Sequence, residues 1–377
     1  MAAGAVLLYA SGVLLGYPLL VVVAVGGLAM LGLAGLAVAV PSRVTLTRQV
    51  TPRRVTVGEA ALGRLDIHNT SRWPAPPFTA VDRVGAQSVD LDIAVLPGGG
   101  RRAVHYPVPA GQRGRLRLGP LTVARRDPLG LVSRAQPQTA DDVLWVHPRT
   151  HPVRPLPVGV VLDYEGRITE NARPGTVTFS SLREYVPGDD PRQIHWRSTA
   201  RAGTLIVRQH VDTAEPTTTV VLDTRAAALD ADAFEHAVEV TASVAQTTAE
   251  HGHPVSLYVL DEDSGAALAA GAQSVLDRLA LAGRTEHRDP LRLLDLVERV
   301  PAGGALVVVT GGQEPTVLAR LAEQRRRFTP VVVVSVLGAA DPAGAGIRRR
   351  PGLTVLAVRT GSDAAATWNR MIAGELG

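Results

Sequence analysis

The side chains best able to do chemistry crowd into residues 181–210, SLREYVPGDDPRQIHWRSTARAGTLIVRQH. Glu184 and His195 are proton-moving types, and a carboxylate beside an imidazole is the smallest acid–base pair a hydrolase could use. Such a pair also needs a raised carboxyl pKa or a nucleophile, and neither G-x-S-x-G nor H-E-x-x-H accompanies it. The other reactive groups are ions of both signs, Arg192, Arg197 and Arg201 with Glu184, Asp189 and Asp190. They read either as an ion-paired joint that fastens the segment to its neighbour or as an anion cradle open to a partner. His251 and His253 flank Gly252 and read as a helix-end feature, since two imidazoles alone make a poor metal site.

Composition removes several kinds of chemistry. All 39 basic residues are Arg, so a GxxxxGK[ST] phosphate loop and a Schiff-base lysine are both impossible. Cys is absent, which excludes disulfides, thiolate zinc sites and Cys–His nucleophiles. The formal charge of +4 is small for 377 residues, and the Arg side chains are interspersed with 35 acids, so no nucleic acid is expected as a partner.

Local signals say which elements would position these groups. Asp190 is suited to cap a helix beginning at Pro191, Gln193 to close a capping box, and Gly203 to stop the helix after about three turns. That places Arg197 and Arg201 on one face, with Arg192 near in angle. A strand over 204–209 follows. Residues 44–150 carry short alternating runs at 44–50, 62–68, 78–84, 104–108, 116–123 and 143–146, separated by turn clusters, which predicts a β-sandwich of immunoglobulin-like type. From about residue 217 continuous apolar runs alternate with amphipathic stretches at 231–250, 291–300, 316–327 and 363–376. That pattern predicts a doubly wound α/β domain with a parallel sheet, whose ligands would sit beyond the carboxyl ends of its strands, near Asp223.

Residues 2–40 carry no charged side chain, far too long a stretch for a buried globular helix. Gly16, Tyr17 and Pro18 divide it into segments 2–17 and 19–40, about 24 Å and about 33 Å long at helical rise. Arg43, Arg48, Arg53 and Arg54 follow at once, so the positive bias predicts a transmembrane hairpin in the lipid bilayer of the cell membrane, with the soluble domains cytoplasmic. A cleaved signal peptide is the rival, disfavoured by the lack of a basic n-region. The expected organisation is an anchor over 1–40, a β-sandwich over 41–150, a polar signature segment over 151–215 and an α/β domain over 216–377.

The 181–208 window closely resembles the signature of the DUF58 family, R-E-Y-x-P-G-D-D-x-R-x-I-x-W-x-x-x-A-R-x-G-x-L. Arg183, Glu184, Tyr185, Pro187, Gly188, Asp189, Asp190, Arg192, Ile194, Trp196, Ala200, Arg201, Gly203 and Leu205 all match. A second stretch, RGRLRLGPLTVARRDPLGL, is similar to another element of that family, with Leu129 where Phe is usual. The resemblance implies a membrane-anchored protein that works beside a MoxR-type AAA+ ATPase, with a von Willebrand factor A-like C-terminal domain. Metal-binding members of that domain class use D-x-S-x-S after the first strand and a later Asp. Here the positions are Asp223, Arg225 and Ala227, and the later element reads Thr310-Gly311-Gly312, so both hydroxyls and the second carboxylate are missing. Neither a metal nor another cofactor is expected, and Arg225 is placed to pair with Asp223.

Three functions follow as expectations. The first is a non-catalytic adaptor or scaffold for an AAA+ machine, with the signature residues Arg183, Glu184, Tyr185, Gly188, Asp189, Asp190, Arg192, His195, Trp196, Arg197 and Arg201 binding a partner or bracing the fold. The others are a hydrolase using Glu184 and His195, and a structural protein of the cell envelope.

Overall fold

The computed structural model describes residues 2–39, 43–126, 132–138, 141–157, 178–186, 189, 194–211, 217–260, 268–269, 271–312, 314–339, 341 and 344–374. The chain divides into two compact units, Met1–His147 and Pro148–Gly377.

The first unit opens with helices α1 (Ala2–Leu14) and α2 (Pro18–Ala39). Gly16, at φ 69°, makes the reversal between them. The pair runs antiparallel: Gly12 lies against Leu20 and Val21, and Gly27 lies opposite Ala5. Among the described residues α2 alone is long and apolar enough to cross a membrane; the 13 residues of α1 reach only about 20 Å. The expected first segment, 2–17, is thus shorter as a helix than its apolar run, because the Gly16 turn consumes its last residues.

Strands β1 (Val44–Thr51), β2 (Arg54–Thr56), β3 (Ala61–Asn69), β4 (Phe78–Val84), β5 (Gln87–Ile93), β6 (Arg101–Val108), β7 (Gly114–Arg126), β8 (Ser133–Gln138) and β9 (Asp142–His147) complete the unit. They form one sheet in the order β1-β3-β6 and another in the order β2-β9-β7-β4-β5, with β8 beside β7. β1 alternates buried and exposed residues along its whole length, which sends Val44, Leu46 and Val50 into a core shared by both sheets. The same alternation sends Arg48 inward. Its guanidinium Nη1 donates to Asp82 Oδ1 on β4 at 2.5 Å and its Nη2 to the Leu118 carbonyl on β7 at 2.9 Å. Tyr106 on β6 donates its hydroxyl to the other Asp82 oxygen. Burial, and then the hydrogen bond and charge of Asp82, push the Tyr106 phenol well above its usual range. Opposite Tyr106 in the ladder stands Gly63, where a Cβ would lie 2.5 Å from the ring. The short strands β2, β5 and β8 have no counterpart among the expected runs, since β5 and β8 are largely exposed and carry little apolar pattern.

In the second unit β10 (Thr178–Glu184) and β11 (Ile206–Val211) form an antiparallel ribbon with α3 (Trp196–Ala202) between them in sequence. β12 (Thr218–Leu222), α4 (Ala231–Glu250), β13 (Val255–Val259), β14 (Leu268–Ala269), α5 (Ala272–Leu281), α6 (Leu291–Arg299) and β15 (Ala305–Gly311) follow. α7 (Pro315–Glu323), β16 (Val331–Val336), β17 (Gly346–Arg350), β18 (Leu353–Val358) and α8 (Gly361–Ala373) end the chain. The sheet order is β14-β13-β12-β15-β16-β18-β17. Its central strands are parallel and buried on both faces: Val220 and Leu222 pack under α4, α5 and α8, while Val221 packs under α6 and α7. The strands formed by the five expected apolar runs all pair parallel, and two further strands, β14 and β17, pair antiparallel at the edges. At β17 the cause is local, for a turn at Pro351-Gly352 reverses the chain, whereas a parallel return needs a long crossover.

Candidate functional site

Two places in the second unit gather the residues singled out from sequence. One is the ribbon with α3. Arg183 lies in β10 opposite Val207, and Glu184 lies opposite Ile206 with its side chain exposed. Tyr185 continues the ladder by donating its N–H to the Leu205 carbonyl at 2.8 Å. Asp189 closes a turn with Val186: its Oδ2 accepts the Val186 N–H at 2.9 Å and its own N–H reaches the Val186 carbonyl at 3.1 Å. Gly188, Asp190 and Arg192, and with them the proposed cap and capping box, lie outside the described residues.

The helix that carries Arg197 and Arg201 begins at Trp196. Ile194 forms a β-bridge with Val207, and the His195 N–H donates to the Ile206 carbonyl, so pairing with β11 holds this stretch extended up to the helix. His195 is the N-cap, and its Nδ1 accepts the Ser198 N–H at 3.2 Å and also contacts the Ser198 hydroxyl at 2.7 Å. An imidazole nitrogen that accepts a backbone N–H carries no proton of its own, so the capping tautomer holds its hydrogen on Nε2. Gly203 stops the helix in the left-handed region at φ 72°, as expected. On α3 Trp196 is 67% exposed, and Arg197 and Arg201, four residues apart, are exposed on a common face. The ribbon end thus presents an uncovered indole and two guanidinium groups.

The other place is the carboxyl end of β12. The Asp223 N–H donates to the Val309 carbonyl, which prolongs the parallel ladder and brings the carboxylate against Thr310. Oδ1 accepts the Arg225 backbone N–H at 3.0 Å and Arg225 Nε at 2.9 Å. Oδ2 accepts Arg225 Nη2 at 2.7 Å and the Thr310 hydroxyl at 2.6 Å. Four donors fill the acceptor capacity of one carboxylate, and the side chain of Asp223 is wholly buried. A divalent cation would need several hard oxygens in near-octahedral array; this site offers one carboxylate already occupied by a guanidinium, with Ala227 in place of a hydroxyl. The residues present do not fit a metal. Arg225 also lines a cleft of about 220 Å³ together with Arg288, Gly312 and Glu314. That volume lies below the usual range for small-molecule pockets and suits a single side chain. Gly311 is forced at its position, because a Cβ there would sit 1.8 Å from the Ala228 carbonyl oxygen.

A third cluster was not read from sequence. The segment 151–157 lies across α4 and α8: His151 donates its N–H to Ser243 Oγ, and Arg154 its N–H to Asn369 Oδ1. Trp368 Nε1 returns a hydrogen bond to the Arg154 carbonyl at 2.8 Å, and Leu156 is buried in the core. His151 and His236 share one oxygen of Glu239, at 3.3 and 3.1 Å. The spacing of His236 and Glu239 on one helix was visible in the sequence; the arrival of His151 was not.

Comparison with solved structures gives likenesses too faint to bear on fold or function. The CARDB domain of a Pyrococcus furiosus protein, in complex with di-metal ions, is 15% identical at a TM-score of 0.22, over 28% of this chain and 88% of that one. The Pseudomonas fluorescens alkylpurine DNA glycosylase AlkC is 14% identical at 0.20, over 28% and 33% of the two chains. A GH2 β-galacturonidase from Eisenbergiella tayi is 11% identical at 0.18, over 79% and 40%. No curated protein matches the chain. Residues 181–343 do match a family model, described as "Protein of unknown function DUF58", and the matched stretch holds α3, Asp223 and Arg225.

Proposed function

We propose that this chain is a membrane-anchored, non-catalytic adaptor that binds other proteins without a metal and works with a MoxR-type AAA+ ATPase on the cytoplasmic side of the membrane. The observation that carries the reading is the occupation of Asp223 by Arg225. In metal-binding members of the von Willebrand factor A-like class that corner would hold an exchangeable ion; here a guanidinium from the same chain takes the carboxylate. The position of Asp223 at the end of a central parallel strand supports that domain class for 216–377, and two sheets on one core support an immunoglobulin-like reading of 41–150. Against catalysis stands the use of His195 Nδ1 as a helix cap, which removes that nitrogen as a base. The partner surface in this reading is the exposed α3, where Trp196 supplies apolar area and Arg197 and Arg201 supply charge, the residue types that dominate binding hot spots.

The test uses the full-length chain in lipid nanodiscs and a purified MoxR-type ATPase. A Trp196→Ala, Arg201→Ala variant with unchanged thermal stability should lose capture of the ATPase by tenfold or more, since two hot-spot side chains contribute about 2 kcal/mol or above. Retained capture by the variant, or a rise in melting temperature of the wild-type chain with excess Mg2+, would overturn the reading.

A further inference from the structure

The membrane-proximal end of the β unit is built around Asn69, which is wholly buried at the end of β3. Its Nδ2 donates to the carbonyls of Trp73, Leu96 and Pro97 at 2.8, 3.2 and 3.0 Å, and its Oδ1 accepts the Ser71 N–H at 3.1 Å. The loops 70–77 and 94–100 are thereby locked together, with Gly98 packed on the Arg72 backbone and an Ala75–Leu96 bridge between them. This rigid end displays Trp73, 67% exposed and 5.6 Å from the Arg72 guanidinium, and, on the loop 94–100, Val95, 52% exposed.

The same end is basic. Arg43, Arg72, Arg101 and Arg102 are all exposed, and among the described residues no carboxylate pairs with any of them. From Ile67 to Val81 and from Ile93 to Arg126 the sequence contains no acid. A depression of about 530 Å³ on the outer face of the β1-β3-β6 sheet begins at this end, with His68, Arg101 and Arg102 in its wall and the Arg64–Asp66 ion pair further along it.

Its location is fixed by the chain itself. α2 ends at Ala39 and β1 begins at Val44, so four residues of chain, a reach of at most about 17 Å from Cα to Cα, separate the apolar helix from this end of the domain. Thr70 ties the displayed loop to the exit of that helix, since both its N–H and its hydroxyl donate to the Arg43 carbonyl at 2.8 and 2.7 Å. The interfacial layer of a bilayer is where Trp side chains settle and where anionic headgroups draw Arg.

We infer that this end of the β unit docks on the bilayer that holds α2, with Trp73 in the interfacial layer and Arg43, Arg72, Arg101 and Arg102 on the phosphates of anionic phospholipids. The inference rests on the membrane-anchored reading and adds a second, electrostatic attachment to it. The apolar helix sets the domain beside the membrane; the Asn69 hub sets which face it shows.

The experiment places the full-length chain in vesicles of phosphatidylcholine alone or mixed with phosphatidylglycerol, each made with and without lipid brominated near the headgroup. The fluorescence difference between the wild-type chain and Trp73→Phe isolates Trp73. In the mixed vesicles that signal should be quenched by brominated lipid and protected from acrylamide. An Arg72→Glu, Arg101→Glu, Arg102→Glu variant, whose changes are all at exposed positions, should lose most of the quenching, and so should the wild-type chain in high salt. A Trp73 signal open to acrylamide in a chain that resists carbonate extraction would overturn the docking alone. Extraction of the chain by carbonate would overturn the anchor and the docking together. Equal quenching in pure phosphatidylcholine would overturn the assignment to anionic headgroups.

Discussion

Arg48 occupies an inward position of β1 between two core aliphatics, where a Leu or Val would satisfy the alternation. Its charge survives there because Asp82 and the Leu118 carbonyl meet it, and Asp82 in turn receives the Tyr106 hydroxyl. Both charged side chains are 1% exposed or less, so removing one leaves the other stranded. Asp82→Ala should therefore cost about 3–5 kcal/mol, read by denaturant unfolding, while a joint replacement of Arg48 and Asp82 by apolar residues of similar volume should cost far less. Tyr106 adds a pH dependence. Its folded phenol is held above the range at which an unfolded Tyr ionises, so its contribution is complete below about pH 10 and is lost as pH rises beyond that. Unfolding free energy should fall with a steeper slope above about pH 10 in the wild-type chain than in Tyr106→Phe. Arg225→Ala should destabilise the second unit by about 3–5 kcal/mol, because it leaves Asp223 charged and buried.

At the scale of elements, the cap of α3 is the point at which a structural and a catalytic role separate. His195→Asp keeps an N-cap acceptor and His195→Ala removes it, so the alanine variant alone should speed amide exchange across Trp196–Ala202, by a cost of about 0.5–2 kcal/mol. A base in catalysis would fail in both. Gly63→Ala tests another element-level fit: with Tyr106 pinned by Asp82, the added methyl has no room, and a cost of about 1–3 kcal/mol is expected in the same unfolding measurement. What was legible in the sequence follows from local physics. The unbroken apolar runs that became β12, β15 and β16, the alternation of β1, and the amphipathic helix over Ala231–Glu250 each announce their own burial. The start of α3 was misread because Asp190 is a better local cap than His195, while the deciding contact, Ile194 with Val207, lies in the tertiary structure. The pairing of Asp223 with Arg225 was legible, being two residues apart; that of Arg48 with Asp82, 34 apart, and of Trp368 with Arg154, 214 apart, was not.

At the scale of the molecule, each unit closes a core of its own: one around the Arg48–Asp82 pair, the other on the two faces of the parallel sheet. A calorimetric scan should consequently show Asp82→Ala lowering one transition while leaving a second in place, and Trp368→Ala doing the reverse by about 3–5 kcal/mol, since Trp368 is 2% exposed and clasps the 151–157 segment. The guanidinium at Asp223 has a further consequence in the economy of the cell. An ion held by oxygen ligands can be supplied, withheld or stripped, and a protein that depends on one follows the local magnesium or calcium level. A cation tethered to the backbone two residues away is always present. Whatever this corner of the domain does should therefore be indifferent to the divalent-ion level around it.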